Sequence, residues 1–250
     1  DSIVTGIYAE DNQVVTKLLE IMPSSPELLM IRGDSLILQN DWPAAAEDYA
    51  RALACGSADE MTFLRALPLL MMAGSDEKFR QYCRAAIERF NEDAQYWETA
   101  IAIKVALLLP GTVEVTELPL HVLNEAVADS STHPKFRGWF EATLALADYR
   151  RGRYEDVLRW VGRSEETRMY SEEPALRALD LILRALALHG QGRVHDARES
   201  LAQADTLIQD NQLELSSGGL RRLWYDWVIA SILAGEATAL VSDSQGNRRE

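Results

Sequence analysis

The chain has 250 residues, of which 47% are hydrophobic and 26% charged, and its formal net charge is -14. That hydrophobic share is enough for a packed interior and excludes general disorder. So acidic a balance opposes sequence-independent attraction to nucleic acid or to an anionic lipid surface, because both need clustered Lys and Arg.

The same charge favours a basic partner, or serves solubility alone. Two cysteines, Cys55 and Cys83, do not make a disulfide framework. Both are expected as reduced thiols packed on apolar helix faces, which implies a cytoplasmic setting. No apolar run reaches the length of a membrane span, since Ile101 to Leu109 is interrupted by Lys104 and stopped by Pro110. The chain opens at Asp1 rather than Met, which leaves room for an upstream region or a cleaved leader.

Strand signals are nearly absent; Val113 to Val115 alternates but is too short to build on. Apolar residues recur instead at intervals of three and four, the helical period. Val14 to Met22 reads as the second helix of an incomplete unit within 1–25. The clearest unit spans 26–57. Pro26 suits a first helical position behind the Ser24-Ser25 cap, Gly33 permits close helix approach, Asn40-Asp41 end the first helix, and Trp42-Pro43 open the second. Ala45, Tyr49 and Ala52 then share one face.

A weaker copy over 58–91 has its first helix at 58–73, followed by Gly74, Phe79, Cys83 and Ala86. The unit 93–129 is irregular. Its first helix carries Tyr96, Trp97 and Ile101 and ends at Leu109-Pro110-Gly111, and its second begins after Thr116 with Pro119 in the first turn. The unit 134–168 has a first helix at 134–151, a turn at Gly152-Arg153-Tyr154, and Val157, Val161 and Ser164 at packing positions. The unit 172–210 repeats this with a first helix at 173–189, then Gly192, Val194, Ala197, Leu201 and Ala204. Leu220 to Leu240 is apolar-rich and expected to cap the last exposed face. Residues 241–250 read as a disordered polar tail.

Leu29, Gly33, Leu36, Trp42, Ala45, Tyr49 and Ala52 follow a pattern that resembles the tetratricopeptide repeat, whose unit is roughly 34 residues. Arg32 stands where that pattern has Leu. Leu144-Ala145, Gly152, Tyr154 and Val157 match more loosely, as do Ala185, Leu188, Gly192, Val194 and Ala197; departures concentrate between Asp93 and Asp129. The resemblance implies an all-α fold, a right-handed α-α superhelix with a C-terminal capping helix, in which each unit is completed by its neighbours. It also implies a non-enzymatic protein-binding scaffold whose first helices line a concave groove.

Carried onto this chain, the groove positions fall on Met30, Asp34, Ile37, Leu38, Leu64, Met71, Met72, Trp139, Tyr149 and Arg150. That set lacks the basic and amide clamp that grips a peptide carboxylate in one subtype of the family. An apolar groove with aromatic and Met residues suits an amphipathic helix or extended peptide, with Trp139 as the expected anchor. The segment Trp224-Tyr225-Asp226-Trp227 through Glu236-Ala237, with the turn Tyr149 to Tyr154, is similar to repeat regions attached to bacterial serine/threonine kinases. That likeness implies a scaffold or sensor part of a larger signalling protein.

Groups that look chemical have plainer explanations. Of His121, His133, His189 and His195, the last two flank the Gly190–Gly192 turn, which is not the spacing of two ligands on one helical face. No metal or cofactor is expected. Glu165-Glu166 and Glu172-Glu173 are neighbours, and neighbours on a helix point about 100° apart, so they read as solvated faces rather than an acid-base pair. No phosphate-cradling Gly motif occurs, and Gly218-Gly219 reads as a hinge. Arg150, Arg151 and Arg153 complement a helix end, and Arg221-Arg222 is short. Phe136, Trp139, Phe140, Trp224, Tyr225 and Trp227 should lie mostly between units. Two alternatives stand beside the scaffold reading: a homodimer formed through Leu220–Leu240, and, less favoured, a helical hydrolase using carboxylates.

Overall fold

A computed structural model describes residues 2–57, 59–91, 94–168, 173–216 and 224–246. Among them are twelve α-helices, one 3-10 turn and no β-strand. Helix α1 (Ser2–Ile21) packs Val15 and Leu19 against Leu29 and Ala52. Val14, Leu18 and Ile21 of the same helix are exposed, as is Met22 just past its end.

The hairpin of α2 (Pro26–Leu38) and α3 (Trp42–Ala54) is set by local chemistry. The Ser25 hydroxyl accepts from the Leu28 N–H at 3.3 Å, and Asp41 accepts from the Ala44 N–H at 3.2 Å. Asn40 turns the chain with φ 61, a left-handed conformation that Asn tolerates. A Cβ on Gly33 would meet the Tyr49 ring at 3.0 Å, so the small residue permits the helix contact. Arg32, the departure from the repeat pattern, forms a two-pronged pair with Asp48 at 2.6 Å on each arm, and Asp48 is buried. A Leu there would leave that carboxylate only the more distant Arg51, at 3.6 Å, among the described residues.

The following helices are α4 (Glu60–Met72), α5 (Asp76–Arg89), α6 (Tyr96–Ala106), α7 (Leu120–Ala128), α8 (Pro134–Arg150), α9 (Tyr154–Arg168), α10 (Pro174–Gly190), α11 (Val194–Ser216) and α12 (Trp224–Gly246). Helices α4, α8 and α10 start and stop within two residues of the expected first helices. In the irregular unit, Val113 is loop and Val115 opens the 3-10 turn Val115–Glu117. Pro119 stands just ahead of α7 rather than within its first turn, where its missing N–H costs nothing. Cys83 is fully buried, but Cys55 is exposed. It sits where α3 ends, past the packed face on which it was expected.

Each helix packs on the next in chain order, and α4, α6, α8 and α10 also touch in succession, forming one inner layer. The terminal helix packs on α10 and α11, where a cap belongs, but it does more: it reaches back to α4. Trp224 lies 5.9 Å from the Trp42 ring and 6.1 Å from the Tyr49 ring, while at the other end the Val241 carbonyl accepts from Arg198 of α11. Its 23 residues span about 35 Å across the layer.

The reason lies in composition. Six of the seven residues from Trp224 to Ala230 are apolar or aromatic and all seven are buried, so this half of α12 has no wet face and must be enclosed on every side, with Asp226 met by Lys104. A cap would need one wet face. The helix also continues to Gly246, past the expected start of the tail at 241; residues 247–250 lie outside the described residues. One connected apolar cluster runs from Ile37 to Val241 and includes α12.

Candidate functional site

The inner layer and the helix laid across it form the candidate site. Lys104 of α6 and Asp226 of α12 meet at 2.7 Å, with their side chains 8% and 6% exposed. The Lys104 ammonium also lies 4.6 Å from the Trp139 ring centroid, over its face. About three turns before the far end, Glu236 accepts from Arg150 at 2.5 and 2.8 Å and from the Tyr149 hydroxyl at 2.9 Å. Arg150 donates as well to the Leu107 and Leu108 carbonyls at 2.9 and 3.1 Å. It therefore ties α8 to the end of α6 and to α12 at once. Burial and the neighbouring Glu236 carboxylate push the Tyr149 hydroxyl well above the ordinary tyrosine value, so it stays a donor.

Three of the expected groove residues, Trp139, Tyr149 and Arg150, are thus gathered around α12. The others lie on α2 and α4. Met30 is half-buried, its sulfur accepting from the Thr62 hydroxyl at 2.8 Å. Asp34 accepts from the Tyr49 hydroxyl at 2.6 Å and pairs with Arg65 at 2.8 Å, joining α2, α3 and α4. Leu64 and Ile37 are buried, Leu38 and Met71 are half-buried, and Met72 is exposed. Leu64 therefore contributes to the packed interior rather than to an open surface.

Sequence reasoning missed Lys104, Asp226 and Glu236 as members of this site. A signal was present, since Lys104 is the lone charge in Ile101–Leu109 and Asp226 the lone charge in Trp224–Leu233. Charges of opposite sign embedded in apolar helices must find each other or remain uncompensated.

The remaining titratable groups are dispersed. His121 and His195 are exposed, and His133 Nδ1 accepts from the Lys135 N–H at the start of α8. Glu165 pairs with Arg184 at 2.6 Å and Glu173 with Lys135 at 3.6 Å. Glu172, Gly218-Gly219 and Arg221-Arg222 lie outside the described residues. Glu141 is buried in α8, accepting from Thr167 at 3.0 Å beside Arg163; burial raises its carboxyl above the ordinary value despite both partners. Arg151 and Arg153 each stand 3.8 Å from Asp148.

Among the described residues no group of three or more His, Cys, Asp or Glu is placed to hold a metal ion, and no helix is long and apolar enough to cross a membrane. What the arrangement can do is hold a helix, by apolar enclosure and by two cations aimed at carboxylates. No protein-family model matches the chain, and no curated protein matches it.

Proposed function

We propose that the protein is a non-enzymatic, cytoplasmic scaffold, a tetratricopeptide-like superhelix of α-hairpins that holds a helix of a partner protein against its inner layer. The observation that carries this reading is the seating of α12 itself. A helix lies across α4, α6, α8 and α10, apolar residues inward and its carboxylates met by cations, which is helix-in-groove recognition performed within one chain. The likeness of Trp224–Ala237 to repeat regions beside bacterial kinases supports a place in a larger signalling protein. The homodimer alternative has less support, because the most apolar part of the segment it would use, Trp224 to Ala230, is already covered within the chain.

The test is location. Peptides selected from a displayed library of amphipathic helices against the full chain, each carrying a photo-cross-linker at an apolar position, should attach to α4, α6, α8 or α10. Cross-links confined to α5, α7 and α9 would overturn the reading.

A further inference from the structure

The inner layer carries a charge pattern opposite to that of the whole molecule. The chain is strongly acidic, with a net charge of -14, which led to the expectation of a basic partner. Yet the side chains that meet α12 with charge are cations, Lys104 and Arg150, with side chains only 8% and 7% exposed. Remove α12 and Lys104 keeps the Trp139 ring and Arg150 keeps two carbonyls, but among the described residues neither keeps a carboxylate. A buried cation without an anion is costly, so the vacated seat selects for acid and against base.

The seat also fixes a spacing. Asp226 and Glu236 stand ten residues apart, about 15 Å along a helix axis. Between and beside them the layer demands bulk, since Trp224, Trp227, Ile229, Leu233 and Ala237 are buried.

The two halves of α12 are held unequally. From Trp224 to Ala230 every residue is buried, whereas Gly235, Thr238 and Ala239 are exposed and Glu236 is half-buried. Gly235 lies inside the helix with nothing within 4 Å of where a Cβ would be. A glycine there weakens the helix without helping any contact, so the resident helix is less well formed than the seat would accept.

We propose that α12 is an internal stand-in ligand, and that the seat beneath it takes from a partner protein an apolar, aromatic-bearing helix whose two carboxylates are spaced as Asp226 and Glu236 are. The partner's helix displaces α12, starting from the loosely held half, and its carboxylates inherit Lys104 and Arg150. This rests on the scaffold reading above and adds the partner's chemistry to it.

The experiment uses the full-length protein and a fluorescein-labelled synthetic peptide of residues 224–242, titrated by fluorescence anisotropy. Against E236Q, which loosens the resident helix by removing a charge-assisted two-pronged contact, the peptide should bind about tenfold more tightly than against the unaltered protein. Against G235A, which strengthens the resident helix, it should bind about fivefold more weakly. A peptide in which both carboxylates are replaced by amides should bind E236Q about tenfold more weakly than the acidic one.

Equal affinity for all three proteins would overturn displacement, and a neutral peptide binding as well as the acidic one would overturn the charge selection. Dimerisation of E236Q in light scattering without peptide would overturn the choice of partner, making the occupant a second copy's α12. If library peptides still cross-link to the inner layer while these affinities are flat, the scaffold reading stands and this inference fails alone.

Discussion

Replacing Asp226 by Leu removes the carboxylate 2.7 Å from Lys104 Nζ, at a site where both side chains are nearly excluded from water. Breaking a buried pair by deleting one member costs about 3–5 kcal/mol, because the survivor stays buried and uncompensated. The Trp139 ring face at 4.6 Å still shields the ammonium in part, which places the expected loss near the lower end, about 3 kcal/mol. For a chain of this size that corresponds to a fall in Tm of about 6–12 °C. Lys104→Met alone should cost as much or more, since among the described residues no other cation pairs with Asp226. The double variant, with Met against Leu, should lose far less than the two single losses summed, because apolar replacement of a whole buried pair is close to neutral. The coupling energy expected from the four proteins is therefore close to the sum of the two single losses, about 6 kcal/mol. Urea unfolding followed by tryptophan emission reads it directly, because Trp224 and Trp227 sit on α12 itself. Additivity of the two single losses to within about 0.5 kcal/mol would refute the reasoning and leave α12 held by apolar burial alone.

Gly190→Ala would put a Cβ 2.2 Å from the Tyr154 ring at the joint of α9 and α10, so it should destabilise by about 1–3 kcal/mol although Ala favours helix. The same change in a Tyr154→Leu background should cost less by calorimetry; equal costs would reject the steric account. Glu141 has its carboxyl raised by burial above the ordinary 4.5, so the folded chain holds that proton more tightly and stability falls as pH climbs from 4.5 upward. Glu141→Gln, measured by urea midpoint, should therefore gain on the unaltered protein between about pH 4 and pH 7, and a constant difference would contradict it. Iodoacetamide on the native protein should add one group, at exposed Cys55, because burial both hides the Cys83 thiol and pushes its ionisation well above the ordinary range. Mass spectrometry showing rapid modification of Cys83 would count against its placement.

Hairpins were the legible part of this chain because their instructions are local. Ser25 sets where α2 starts, Asn40, Asp41 and Pro43 set where it stops and α3 starts, and Gly33 with Tyr49 determines how closely the two lie. The seat of α12 was not legible from periodicity, since Asp226 and Lys104 are 122 residues apart and no local rule pairs them. Composition still held a clue: Asp226 is the lone charge among the apolar and aromatic residues of Trp224 to Ala230, which leaves too little polar surface for the wet face of a cap. The expected groove list was drawn from first-helix positions alone. It included Leu64, which packs inward, and took nothing from the irregular unit 93–129, so Lys104 was omitted although it lies on that unit's first helix, read only as an interruption of Ile101–Leu109. Arg32 shows the reverse case, where a mismatch to the repeat pattern is explained only by the buried Asp48 opposite it.

A row of hairpins that touch only their neighbours melts like a zip, each piece free to open after the one beside it. The long reach of α12 from Trp42 and Tyr49 to Arg198 changes that behaviour. It acts as a tie rod: loosening the second hairpin slackens the last one, and the intervening pieces feel the strain at Lys104 and Arg150. Amide exchange in α4 and α10, far apart along the chain, should accordingly slow and quicken in step, as a single cooperative block.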